Sequence, residues 1–118
     1  MIYPEIRHIH SSNLEPPNLP DDPTDCEIAF QAFIGPNGGE AEEAFNFSVI
    51  TPARLAREPE PRWGRGALVI PAFDWTAVVQ AVAKFLASCA RPTWDEVAIE
   101  LNKELRWEFD RQETKPAN

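Results

Sequence analysis

The feature that most constrains this chain is a pair of alternating segments joined by a glycine-rich turn. Residues 26–34, CEIAFQAFI, put Cys26, Ile28, Phe30, Ala32 and Ile34 on one side of an extended strand and Glu27, Ala29, Gln31 and Phe33 on the other. Side chains alternate across a strand, so this spacing predicts a strand with a buried face. Gly35-Pro36-Asn37-Gly38-Gly39 follows, and glycine and asparagine accept the positive φ that tight turns need. Residues 44–51, AFNFSVIT, return as a second strand with Phe45, Phe47 and Val49 on one face, and Pro52 ends it. A long β-hairpin, with Glu40, Glu42 and Glu43 on its acidic approach, is the expected centre of the fold.

The flanking sequence supplies the other elements. Residues 2–9, IYPEIRHI, read as a strand with Ile2, Ile6 and His8 on one face and Tyr3, Glu5, Arg7 and Ile9 on the other. Pro4 has no N–H to give, which suits an edge or the start of pairing. Residues 11–25 are a polar loop with four prolines, and ARLAR at 53–57 fits one helical turn. Pro59, Pro61, Gly64 and Gly66 mark a loop, and ALVIPAF at 67–73 reads as a fourth strand. Asp74 is a good N-cap for a helix over 75–89, whose stripe is Trp75, Val78, Val79, Val82, Leu86 and Cys89. Thr93 and Glu96 form a capping box for a second helix to about 104, with Trp94, Val97, Ala98, Leu101 and Leu105 inward. RWEF at 106–109 fits a short last strand. The expected class is α+β: an antiparallel sheet of about four to five strands with two C-terminal helices packed on one face.

A chain of 118 residues, 43% hydrophobic, can bury one core. One domain over 1–110 is expected, followed by a disordered tail at 111–118. The formal net charge of −8 repels phosphate backbones and anionic lipid, so nucleic-acid and membrane binding are not expected and a basic partner is favoured. The longest apolar stretch is broken by Gln80 and Lys84, and no basic region followed by an apolar run opens the chain. Neither a membrane span nor a secretory signal is therefore expected. Cys26 and Cys89 sit among apolar residues, which predicts two buried thiols in a reducing compartment, with a Cys26–Cys89 bridge as the alternative.

Catalytic patterns are wanting. His8 and His10 would share a strand face, but a metal site needs three or four ligands and no other His/Cys cluster supplies them. There is no nucleophile elbow, and the GPNGG segment joins two strands where a phosphate cradle needs a strand–loop–helix setting. Carboxylate pairs abound in any acidic chain, and a solvated face accounts for them. No catalytic residue, metal or cofactor is assigned, and the chain is not expected to be an enzyme. Trp75 and Trp94 begin helices and are expected in the core, whereas Trp107 fits either core or surface. Trp63 lies in the Pro/Gly loop between Arg62 and Arg65, the setting of a binding anchor; a tucked-in tryptophan is the competing reading.

The segments FQAFIGPNGGEAEEAFNFSVITP at 30–52, SCARPTWDEV at 88–97 and LRWEF at 105–109, with the opening IYPEIRHIHS, resemble the immunity protein 8 family of bacterial polymorphic toxin systems. The resemblance runs from about residue 2 to 110, and the hairpin block is its most specific part. It implies a cytoplasmic protein that binds and neutralises a cognate toxin domain by stoichiometric inhibition, and it brings no catalytic residues. A chain of this charge suits a basic toxin such as a nuclease. The residues expected to touch the toxin are Glu40, Glu42 and Glu43 of the hairpin, Asp95 and Glu100 of the second helix, and Trp63. The alternatives are an adaptor with a non-toxin partner, or a small carboxylate- or metal-dependent enzyme. An exposed edge strand leaves self-pairing open.

Overall fold

The computed structural model describes residues 1–108. The end of the expected domain, Phe109 of the last strand segment and the tail at 111–118 lie outside the described residues. In chain order the elements are β1 (Pro4–His10), β2 (Glu27–Pro36), β3 (Glu43–Ile50), α1 (Pro52–Ala56), β4 (Ala67–Val69), α2 (Trp75–Ala87), α3 (Trp94–Leu101) and β5 (Arg106–Trp107). The hairpin forms as its alternation requires. Ile28 pairs with Val49, Phe30 with Phe47, Ala32 with Phe45 and Ile34 with Glu43, so these eight side chains share one face. Gly38 takes the left-handed φ of 82° that the turn demands.

The sheet runs β1-β2-β3-β4, and β5 shares the outer edge of β3 with β4. β4 takes Ser48–Ile50, and β5 takes Phe45 and Asn46. The sheet is therefore mostly antiparallel but mixed, because β4 runs parallel to β3. The cause is the crossover: α1 and the loop after it carry the chain back to Ser48, whose N–H bonds the Gly66 carbonyl at 2.8 Å, before β4 begins. The expected strand at 67–73 shortens to three paired residues. One further bond, from Ile70 N–H to the Ile50 carbonyl at 2.9 Å, closes it, and Pro71 has no N–H with which to continue.

β1 corrects the expected facing. A bulge between Ile6 and His8 shifts the register, so that Ile6 opposes Ile34 and Ile9 opposes Ala32. Both isoleucines thus face the core side, while His8 and His10 together take the other side. An extra residue in one strand reverses the parity of everything after it, which simple alternation does not foresee.

α2 and α3 cover the face that carries Phe30, Ala32, Ile34, Phe45, Phe47 and Val49, and one cluster of buried side chains joins them. Asp74 caps α2 by accepting from Thr76 N–H at 3.1 Å. Val78, Val82 and Leu86 are buried along α2, whereas Val79 stands 43% exposed, since the next residue lies about 100° around the helix. Thr93 caps α3 by accepting from Glu96 N–H at 3.2 Å, and its hydroxyl donates to the Glu96 carboxylate at 2.9 Å. α3 ends at Leu101, earlier than the expected 104. There the Asn102 side chain turns outward from the helix to accept from Trp107 N–H at 2.9 Å. Phe30 stacks on Phe47 and Phe73, and Trp75 meets both Phe30 and Phe73 edge-on. On the opposite face of the sheet Ala29 and Asn46 are exposed, whereas Ile50, at the end that leads into α1, is fully buried.

Candidate functional site

The acidic hairpin residues divide by strand parity. Glu43 lies on the face of Phe45, Phe47 and Val49, and so points towards the helices. Its carboxylate accepts the Trp107 indole N–H at 2.9 Å and the Trp94 indole N–H through its other oxygen. One half-buried carboxylate thus ties β3 to both α3 and β5. Glu40 and Glu42 are exposed and have no ion-pair partner among the described residues.

The turn that carries them is folded over the open face. Arg7, in the β1 bulge, donates to the carbonyls of Pro36 and Gly39 at 2.6 and 2.5 Å and pairs with Glu5 at 2.7 Å. Asn37 adds bonds to the Tyr3 carbonyl and the Glu5 carboxylate, both at 2.7 Å. Beneath the turn lies Gly35, where a Cβ would fall 2.0 Å from the Ala41 carbonyl oxygen and 3.0 Å from the Arg7 guanidinium. Glycine is required here by close approach and not by φ.

Along the rest of that face, β2 and β3 show small or uncharged side chains. Gln31 bonds Asn46 at 3.2 Å, Ala29 is exposed, and Phe33 stacks with His8 at 6.0 Å. At the far end, Glu27 receives Arg62 at 2.8 Å and Arg54 at 3.8 Å, and Glu58 receives the same two arginines at 3.5 and 2.9 Å. The Arg62 hydrogen bond holds the Glu27 carboxyl below its ordinary range, against a smaller opposing effect of burial.

This cluster fixes the loop that bears Trp63. Arg62 is tied to Glu27, and Arg65 donates to the Asn102 carbonyl at 3.0 Å and to its side chain at 2.8 Å. Between two fastened arginines, Trp63 projects with 93% of its surface exposed. It overhangs an open groove of about 580 Å³ floored by Ala29, Asn46 and Ser48. The tucked-in reading of Trp63 is thus overturned.

The helix-face residues differ in kind. Asp95 is exposed in the first turn of α3. The Trp94–Glu43 contact brings it to the same end of the molecule as Glu40 and Glu42. Glu100 is engaged, with Lys103 and Arg91 each at 2.9 Å; Lys103 chiefly, and Arg91 besides, hold its carboxyl low. Glu40, Glu42 and Asp95 therefore gather at one end, Trp63 stands at the other, and Glu43 and Glu100 have work within the fold. His8 and His10 are neighbours at 5.8 Å, but no group of three His, Cys, Asp or Glu side chains that could hold a metal is found among the described residues. Cys26 and Cys89 are free buried thiols, and burial is the main cause that pushes each pKa up. No helix among the described residues is long and apolar enough to cross a membrane.

The family model for immunity protein 8 matches residues 5–111. The chain belongs to the immunity protein 8 family. It is therefore a non-enzymatic protein that neutralises a cognate polymorphic toxin. No curated protein and no solved structure matches it. For an immunity protein the features above have a common sense. Such a protein needs rigid side chains presented outward, because ordering a loop on binding costs affinity. In this immunity protein the Arg7 contacts and the Glu27–Arg62 cluster fasten both ends of the open face. The sequence pointed to Trp63 through its loop and flanking arginines. It concealed the role of Glu43, although the parity of Glu43 with Phe45 was a signal that could have revealed it.

Proposed function

We propose that this immunity protein acts in the cytoplasm as a stoichiometric inhibitor, occupying its toxin's domain one to one. The observation that carries the reading is the family match over residues 5–111. The net charge of −8 favours a basic toxin, of which a nuclease is the leading chemistry, and speeds encounter at low salt. Glu40, Glu42 and Asp95 are the carboxylates best placed to meet basic toxin groups, since they are exposed at one end of the molecule. Trp63 is the apolar anchor. Glu43 and Glu100 support the surface from within: Glu43 through its two indoles, and Glu100 through Arg91 and Lys103.

A protection assay tests this. The toxin domain encoded beside this gene is expressed in the cytoplasm of a sensitive bacterium, with and without the immunity protein, and survivors are counted. Rescue that scales with immunity-protein level is expected. Equal killing in both cultures, with the immunity protein folded and abundant, would overturn the proposal.

A further inference from the structure

We infer that the toxin docks on the open face of the sheet, with Trp63 entering an apolar pocket at one end and Glu40 and Glu42 meeting basic toxin groups at the other. This rests on the stoichiometric reading above and adds which face is used and what the partner must present.

Three independent features converge on that face. The first is its charge pattern. Ala29, Gln31, Phe33 and Asn46 give it an uncharged centre, and the charged groups at its margins are neutralised in place as Glu5–Arg7 and Glu27–Arg62 pairs. Interface cores are depleted in charge and enriched in aromatic side chains, with polar groups kept to the rim. A charge already paired within the protein loses less when a partner removes water than an unpaired charge would.

The second is Trp63. An indole with 93% of its surface in water gains nothing for the fold, yet the two arginines beside it are fastened to Glu27 and Asn102. The loop is thus rigid where the tryptophan leaves it. A rigid, projecting aromatic group is the kind of residue that dominates binding energy. The third is the turn. Arg7 draws Pro36 and Gly39 over Gly35 on this same face, and so sets Glu40 and Glu42 at its rim. From Ala29 to Gly35 is six residues of strand, or roughly 20 Å.

The occupant is therefore a polarised surface. It offers an apolar pocket for an indole. Roughly 20 Å away, by the same strand rise, it offers lysines or arginines. The asymmetry fixes one docking orientation, since the reverse would take the basic groups away from Glu40 and Glu42 and leave Trp63 without its pocket.

The test uses the full chain and the toxin domain encoded beside it, with affinity measured by titration calorimetry and survival measured in parallel. Trp63→Ala is expected to weaken binding roughly 30-fold or more, the fold-change of a hot spot. Ala29→Arg places bulk in the groove beside Trp63 without touching the core and should do the same, while Ala83→Arg, exposed on α2 behind the sheet, should bind as the parent does. Circular dichroism and urea midpoints confirm that all three variants are folded. Unchanged affinity in Trp63→Ala and Ala29→Arg, with the parent binding tightly, would overturn this face and leave the inhibitor reading standing. A parent chain that neither binds nor protects would overturn both.

Discussion

Glu43 is the residue on which the account of this fold can be tested most sharply. Its carboxylate takes the indole N–H groups of Trp107 and Trp94, so Glu43→Ala removes two charge-assisted hydrogen bonds and orphans two donors. A hydrogen bond to a charged group contributes about 1.5–3 kcal/mol when buried. Glu43 and both tryptophans are only half-buried, so water recovers part of that, and about 2–4 kcal/mol in total is expected. Glu43→Gln retains one acceptor oxygen but turns an amide N–H₂ towards the other indole, and should cost about 1–2 kcal/mol. In a domain of this size about 4 °C of melting temperature accompanies each kcal/mol, so Glu43→Ala should melt roughly 8–16 °C below the parent. Urea unfolding followed by tryptophan fluorescence measures both variants. Trp107→Phe supplies the control: combined with Glu43→Ala it should cost less than the sum of the two single changes, because one orphaned donor no longer exists. A Glu43→Ala protein within about 0.5 kcal/mol of the parent, the range of ordinary surface substitutions, would refute the clasp.

Gly35→Ala should cost about 2–3 kcal/mol or displace the turn, since its Cβ would meet the Ala41 carbonyl at 2.0 Å; thermal melting and trypsin cleavage after Arg7 report the two outcomes. The Glu27 carboxyl has a folded pKa below its ordinary 4.5, so its contribution is present above the unfolded pKa and is lost as pH falls through the folded one. Arg62→Ala should therefore flatten the acid limb of the stability–pH curve while costing about 1 kcal/mol or less near neutrality, as a partly exposed pair. Cys26 and Cys89, buried and with raised pKa, should resist iodoacetamide at pH 8 in the folded protein and both react in urea; mass spectrometry counts the adducts.

The parts of this fold that were legible in the sequence are those where local rules and tertiary packing agree. The hairpin followed from period-two alternation around Gly35 to Gly39, and α2 and α3 followed from Asp74 and Thr93 as caps. What was hidden depends on non-local geometry. The bulge at Arg7 reverses the facing of β1 because Arg7 is needed to hold a turn some 30 residues away in sequence, between Pro36 and Gly39. β4 is parallel because α1 and the loop after it return the chain to Ser48 before pairing begins, and short because Pro71 has no N–H with which to continue. In composition Glu43 looks like Glu40 and Glu42, yet only its parity and two distant tryptophans give it a structural role. Trp63 was legible as a loop aromatic, but its exposure depends on the Glu27 and Asn102 contacts that fix its neighbours.

Inhibition by one-to-one occupancy is decided by a titration of toxin activity. Purified immunity protein is added stepwise to a fixed, concentrated sample of the toxin domain encoded beside it, and residual activity is read at each step. A straight decline that reaches zero at one equivalent is expected. Full activity at excess immunity protein, or complete loss well below one equivalent, would contradict it.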